Sequence, residues 1–194
     1  RPDSAPATYS QASLREYCLN KEIFSDVEQE YLIEYFNELD ALAEQSCYEL
    51  YADAAVKHDK EVGVSAAGGG FLLIQSDTRL IVLNETFKLP VCYQSKETNS
   101  HIAEYHALLV AIKATMSQVK HPECVHLKIK VDSQNLVKQL KRESRIRDKI
   151  RIKFAKEIDE LKQNFAKVEI EYCPREENTK ADKLAKEAIK ALFV

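Results

Sequence analysis

Tryptophan is absent, methionine occurs once, and the five cysteines, Cys18, Cys47, Cys92, Cys124 and Cys173, contain no C-x-x-C pair. An odd number without metal-ligand spacing argues against a zinc site or a disulfide framework. The expected state is reduced, buried thiols in a cytoplasmic protein. No apolar run approaches the ~18 residues of a membrane span, so no association with a membrane is expected. No basic-then-apolar leader opens the chain, and nothing points to secretion. The first residue is Arg1 rather than Met, which leads us to expect a fragment or a renumbered chain. Glycine is scarce too: three of the four form one run, Gly68-Gly69-Gly70. That run precedes a strand-like stretch. A phosphate-cradling loop would open onto a helix, so ATPases built on such loops are disfavoured.

The 194 residues suffice for one domain and an extension, or for two small domains. The net charge of −3 hides an asymmetry. Residues 1–46 carry three basic and ten acidic side chains, and residues 47–194 carry 25 and 21. The two parts are expected to do different jobs. Residues 1–24 show little periodicity and read as mobile or loosely docked. Ser25 and Glu28 then form a capping box. Val27, Tyr31, Leu32, Tyr35, Phe36, Leu39 and Leu42 make one apolar face of a helix over about 26–45. Packing of that face within the chain is expected, with dimerisation as the other option.

From Cys47 the periods alternate. Tyr48–Asp53 reads as a strand, and Lys57–Ala67 as a polar loop closed by the three glycines. Two strands then form a hairpin around Ser76-Asp77. A helix over 102–119, a strand over 125–131, helices over 133–140 and 148–164, a strand over 168–172 and a last helix over 179–192 follow. Hairpin plus parallel β–α units predict an α/β fold: a mixed five-stranded sheet with helices on both faces, preceded by the N-terminal helical extension.

On this framework four acids attract notice. Asp53 and Asp132 stand at the carboxyl ends of the first and fourth strands, where open α/β sheets bind ligands. Glu104 and Asp182 stand in the first turns of two helices. Singly, each of the last two is explained as a dipole-favourable acid, and Asp132 as a helix cap. Asp53 has no such explanation. Together, in this order, the four suit a site for divalent cations, which need several converging carboxylate oxygens.

The sequence from about Tyr48 to Leu192 resembles ribonuclease H of type 1, closest to its bacterial and archaeal "reverse transcriptase-like" branch. The matching stretches are Tyr51-Ala52-Asp53-Ala54-Ala55, Ala103-Glu104-Tyr105-His106-Ala107-Leu108-Leu109, Val131-Asp132-Ser133-Gln134-Asn135-Leu136-Val137 and Pro174 to Ala185. The resemblance implies a ribonuclease H-like domain over 47–194. It also implies endonucleolytic cleavage of the RNA strand of an RNA–DNA hybrid, with two Mg²⁺ or Mn²⁺ ions. By position, Asp53 would bridge both metals and Asp132 would bind the water-activating one. Glu104 would hold the leaving-group metal, and Asp182 would complete the water-activating site.

The departures matter. Ala54 replaces a common glycine, with the tight turn expected to survive. Ser100 and His101 replace two asparagines, and Asn99 lies just before them; all three are expected near the hybrid, as is Gln134. A mobile histidine is missing near Tyr172 and Cys173, and Arg175 is the expected substitute, with pairing to Glu176 or Glu177 as the other reading. From Lys138 to Lys156 the chain has nine basic side chains opposed by Glu143 and Asp148. Lys138, Lys141 and Arg142 among them are expected to contact the duplex backbone.

A proofreading exonuclease would need Asp-x-Glu where this chain has Asp53-Ala54-Ala55. The remaining alternative is a hybrid-binding module without turnover.

Overall fold

The computed structural model describes residues 24–59, 64–89 and 100–190. The segment read as mobile therefore lies almost wholly outside the described residues. The first helix, α1, spans Asp26–Gln45. Its start has the reach-back half of a capping box: the Ser25 N–H donates to Glu28 Oε2 at 2.9 Å. The expected single apolar face is divided. Phe36 is buried, but Val27, Tyr31 and Tyr35 are exposed; among the described elements α1 rests mainly on the short 3₁₀ helix Pro122–Cys124.

Strands β1 (Cys47–Asp59), β2 (Val64–Gln75) and β3 (Ile81–Lys88) follow. Helix α2 is Ser100–Gln118, β4 is His126–Val131, α3 is Gln134–Leu140 and α4 is Lys149–Lys162. Strand β5 (Lys167–Tyr172) and helix α5 (Thr179–Lys190) complete the order. The sheet runs β3-β2-β1-β4-β5. The β1–β2 and β2–β3 pairs are antiparallel, and β1–β4 and β4–β5 are parallel, as the alternating pattern predicts.

Strand periodicity divides the core in two. Leu50, Ala52, Phe71 and Leu73 face one way and pack with Tyr105, Leu108 and Ile112 of α2, Leu136 and Leu140 of α3 and Ile158 of α4. Tyr51, Leu72 and Ile74 face the other way and meet Cys173 and Ala181.

Where it is described, the expected polar loop over Lys57–Ala67 is strand, and residues 60–63 lie outside the described residues. Strand β1 continues to Asp59, and Val56 and Lys57 pair with Ala67 and Ala66. No tight turn follows Asp53 either: Ala54 lies in the same strand, opposite Gly69. The three glycines lie inside β2, and packing explains them. A Cβ at Gly70 would fall 2.7 Å from the Ala181 carbonyl oxygen and strike the Ala185 backbone nitrogen. One at Gly68 would meet the Ala185 carbonyl oxygen at 2.9 Å. Their lack of side chains lets α5 lie against the strand.

Gly70→Ala is therefore expected to destabilise the protein by about 1–3 kcal/mol, because backbone atoms rather than a flexible side chain must move. Urea unfolding checks this; an unchanged midpoint would show that α5 can retreat at no cost.

Candidate active site

The parallel β1–β4 register ends with Tyr51 beside Lys130. Two residues further along each strand stand Asp53 and Asp132. On its other side, Asp53 pairs with Gly70, the glycine that admits α5. Asp182 is in the first turn of that helix. Glu104 comes from α2, which begins at Ser100. It is thus two residues deeper than predicted and past the first turn, so a helix-dipole explanation of it falls away. The capping explanation of Asp132 falls as well. Ser133 is the N-cap of α3, its hydroxyl accepting from the Leu136 N–H.

All four acids line one cavity of about 760 Å³ with Ser100, Ser133, Arg175, Glu176, Thr179 and Lys186. Each acid has a local partner. Arg175 Nε donates to Asp132 Oδ2 at 3.2 Å, so Arg175 turns to the cavity rather than to Glu176 or Glu177. Lys186 Nζ lies 2.6 Å from Asp182 Oδ2, and His101 Nδ1 lies 3.4 Å from Glu104 Oε2. Asp53 Oδ1 accepts from the Ala54 N–H at 2.8 Å. Among the described residues no basic side chain pairs with Asp53. Burial first, then the charges of Asp132, Asp182 and Glu104, push its carboxyl up to about 7.

Residues 53–188 match the reverse transcriptase-like family. The chain belongs to that family. Its fold is that of type 1 ribonuclease H. Ribonuclease H1 from the halophilic archaeon Halobacterium salinarum is 25% identical, with a TM-score of 0.64 over 75% of this chain and 99% of that one. The N-terminal ribonuclease H domain of a Mycobacterium tuberculosis protein is 19% identical, with a TM-score of 0.62 over 75% of this chain and 95% of that one. A compost-metagenome ribonuclease H1, solved in complex with an RNA/DNA hybrid, is 19% identical, with a TM-score of 0.65 over 76% of this chain and 99% of that one. No curated protein sequence matches.

Within this family member the other predicted residues are scattered. Asn99 lies outside the described residues. Ser100 lines the cavity and His101 touches Glu104. Gln134 opens α3 and is exposed, as is Lys138 in its last turn. Lys141 lines a different cavity with Lys162, Glu169 and Glu171. Arg142 pairs with Asp159 at 3.5 Å. Neither lines the acidic cavity. Cys173, near the missing histidine, is buried, and burial followed by the Asp132 charge pushes its thiol up to about 11. It is not a proton carrier at neutral pH.

Two residues escaped sequence reasoning. Lys186 stands one helical turn after Asp182, a spacing that places both on one helix face. Asn178 is fully buried and donates from Nδ2 to the Ala52 carbonyl at 3.3 Å, tying the start of α5 to the strand carrying Asp53.

The residues fit a divalent cation in donor chemistry: all four offer hard carboxylate oxygens. Like charge crowded at Asp53 is also what a cation would relieve. Among the described residues, no three His, Cys, Asp or Glu side chains are gathered tightly enough to form a ready-made cage. The cavity is an open acidic cleft.

The raised Asp53 carboxyl has a measurable consequence. Its folded value exceeds the ordinary 3.8, so the native state holds the proton more tightly than the unfolded one. Stability from this group is lost as pH rises from about 4 to about 7, on the order of 2–4 kcal/mol. Urea unfolding in chelator across that range should show the loss in the parent relative to Asp53→Asn; parallel profiles would contradict it.

Proposed function

We propose that this protein is a metal-dependent endonuclease that hydrolyses the RNA strand of RNA–DNA hybrids. The observation that carries the reading is the convergence of Asp53, Glu104, Asp132 and Asp182 on one cleft from four separate elements. A surface helix gains little from a half-buried carboxylate, and a strand gains less from one whose charge its neighbours oppose. A ribonuclease H1 with the same fold, crystallised on an RNA/DNA hybrid, supports the substrate class.

The four acids would hold two Mg²⁺ or Mn²⁺ ions. Bound there, such a pair supplies charge stabilisation to the attacking water and to the leaving oxygen. The chain's own residues do the rest. Asp53, central and anchored by the Ala54 N–H, fixes the position around which the other acids are arranged. Arg175, mostly exposed at the rim, is a charge-assisted donor for a phosphate oxygen once it leaves Asp132. Lys186 is a second such donor on the Asp182 side. Ser100 and His101, at the start of α2 and near Glu104, would meet the sugar edge. Lys138 and the basic residues beyond it carry the sequence-independent contacts to the backbone.

A labelled RNA–DNA duplex should be cut in Mg²⁺ or Mn²⁺. Asp53→Asn and Asp132→Asn should each lower the rate by roughly 10²–10³-fold or more, with duplex binding retained. RNA–RNA and DNA–DNA duplexes in the same assay set the substrate class. Tight binding of hybrid without any metal-dependent product would replace the hydrolase by a non-catalytic binding module.

A further inference from the structure

Helix α1 leaves a coherent outward face. Val27, Tyr31 and Tyr35 recur every fourth residue and form one stripe, 77%, 71% and 49% exposed. From Asp26 to Glu38 the helix contains five acids, Asp26, Glu28, Glu30, Glu34 and Glu38, and no base. Its opposite side carries the contact with the rest of the chain, where Gln29 and Phe36 are buried.

The chain carries a complementary surface elsewhere. On α4, Lys149, Lys153 and Lys156 share the solvent face, and Ile150 and Ile152 border it, about half exposed. Arg145 and Arg147 extend the positive charge just before that helix. Apart from the weak i,i+4 pairing of Lys156 with Glu160 at 3.7 Å, these three lysines have no ion-pair partner among the described residues. One helix therefore presents apolar side chains ringed by acids, and the other apolar side chains ringed by lysines. Of nine exposed large hydrophobic residues among the described ones, six lie on these two helices, so the pattern is concentrated rather than scattered.

We propose that the outward face of α1 in one copy docks on the lysine face of α4 in a second copy. A two-fold dimer makes that contact twice, since whatever α1 gives to its partner's α4 it receives back. Burial of Val27, Tyr31, Tyr35, Ile150 and Ile152 supplies the attraction, and the charges fix partner and register. The consequence for function rests on the hydrolase reading: the covered lysines are ones a hybrid's phosphates would approach, so duplex and dimer compete.

Sedimentation velocity on the full chain in chelator, without nucleic acid, tests the docking alone. The expected result is a dimer at low ionic strength, weakened roughly tenfold or more by high salt. A triple variant Glu30→Lys/Glu34→Lys/Glu38→Lys should be monomeric, and so should Lys149→Glu/Lys153→Glu/Lys156→Glu. Mixed together, the two should form a dimer, because each charge-reversed helix then finds its complement. If a charge variant fails to fold, Tyr31→Ser/Tyr35→Ser tests the apolar half and should weaken the parent dimer. A monomeric parent, a charge variant that still dimerises alone, or a folded pair that stays apart on mixing would overturn the docking. Addition of a hybrid should dissociate the parent dimer. A dimer that binds hybrid intact would overturn the competition, while hybrid cleavage is scored separately.

Discussion

The last helix can lie directly on the second strand because Gly68 and Gly70 put no side chain between them. The rest of the cleft depends on that approach. Gly70 is the register partner of Asp53 across the β1–β2 pair, and its bare face meets the Ala181–Ala185 turn of α5. A single close contact thus sets the distance between the strand bearing Asp53 and the helix bearing Asp182. Two hydrogen bonds hold the arrangement from either side. Asn178 reaches the Ala52 carbonyl, and Thr86 Oγ1 donates to the Leu184 carbonyl at 2.7 Å. The parallel β1–β4 pairing then brings Asp132 alongside, and α2 brings Glu104 from the opposite face of the sheet.

That arrangement has an electrostatic cost. Four carboxylates face one cleft, and Asp53 answers its burial and its neighbours' charge by holding its proton to about 7. The three other acids have partners instead: Arg175 for Asp132, Lys186 for Asp182 and the His101 imidazole for Glu104. Exposed pairs of this kind contribute little to stability, so they do not offset the burial of Asp53. A fold optimised for stability alone would place a neutral residue at position 53. Retaining an acid there makes sense for a centre whose charge is meant to be met by cations and a phosphate.

Much of this was legible from residues alone. The alternation of Val125, Leu127, Ile129 and Val131 marks β4, and Ser133 with its following apolar residues marks α3. The position of Asp132 just past β4 follows from those elements, but the expectation that Asp53 ends its strand does not hold: Asp53 lies inside β1, just beyond the last residue paired with β4. The glycine run was misread because strand patterns are judged by side chains, and here the informative feature is their absence on a face covered by a helix. The α1 face was misread for a related reason. Helical periodicity shows that Val27, Tyr31, Leu32, Tyr35 and Phe36 are apolar, but not which of them meets the domain; the structure buries Phe36 and turns Val27, Tyr31 and Tyr35 outward. Lys186 was missed because its meaning depends on Asp182 facing the cleft, which only the tertiary arrangement reveals. Lys141 and Arg142 share the sequence run with Lys138, yet past the end of α3 Lys141 lines a different cavity and Arg142 pairs with Asp159, neither at the cleft.

A net charge of −3 and an acidic cleft are at first sight at odds with the proposed polyanionic substrate. The conflict dissolves when distance is considered. In physiological salt, exposed charges further apart than ~8 Å are largely screened from one another. The ten acids of residues 1–46 therefore weigh on a duplex only where the fold brings them near it. What a phosphate meets at the cleft is local: four acids that attract divalent cations, with Arg175 and Lys186 already among them. Lys149, Lys153 and Lys156 of α4 do not line the cleft and form a second, positive face. Overall charge counts the acids of α1 and the lysines of α4 as if they cancelled, and under the proposed docking they would cancel only where the two helices meet.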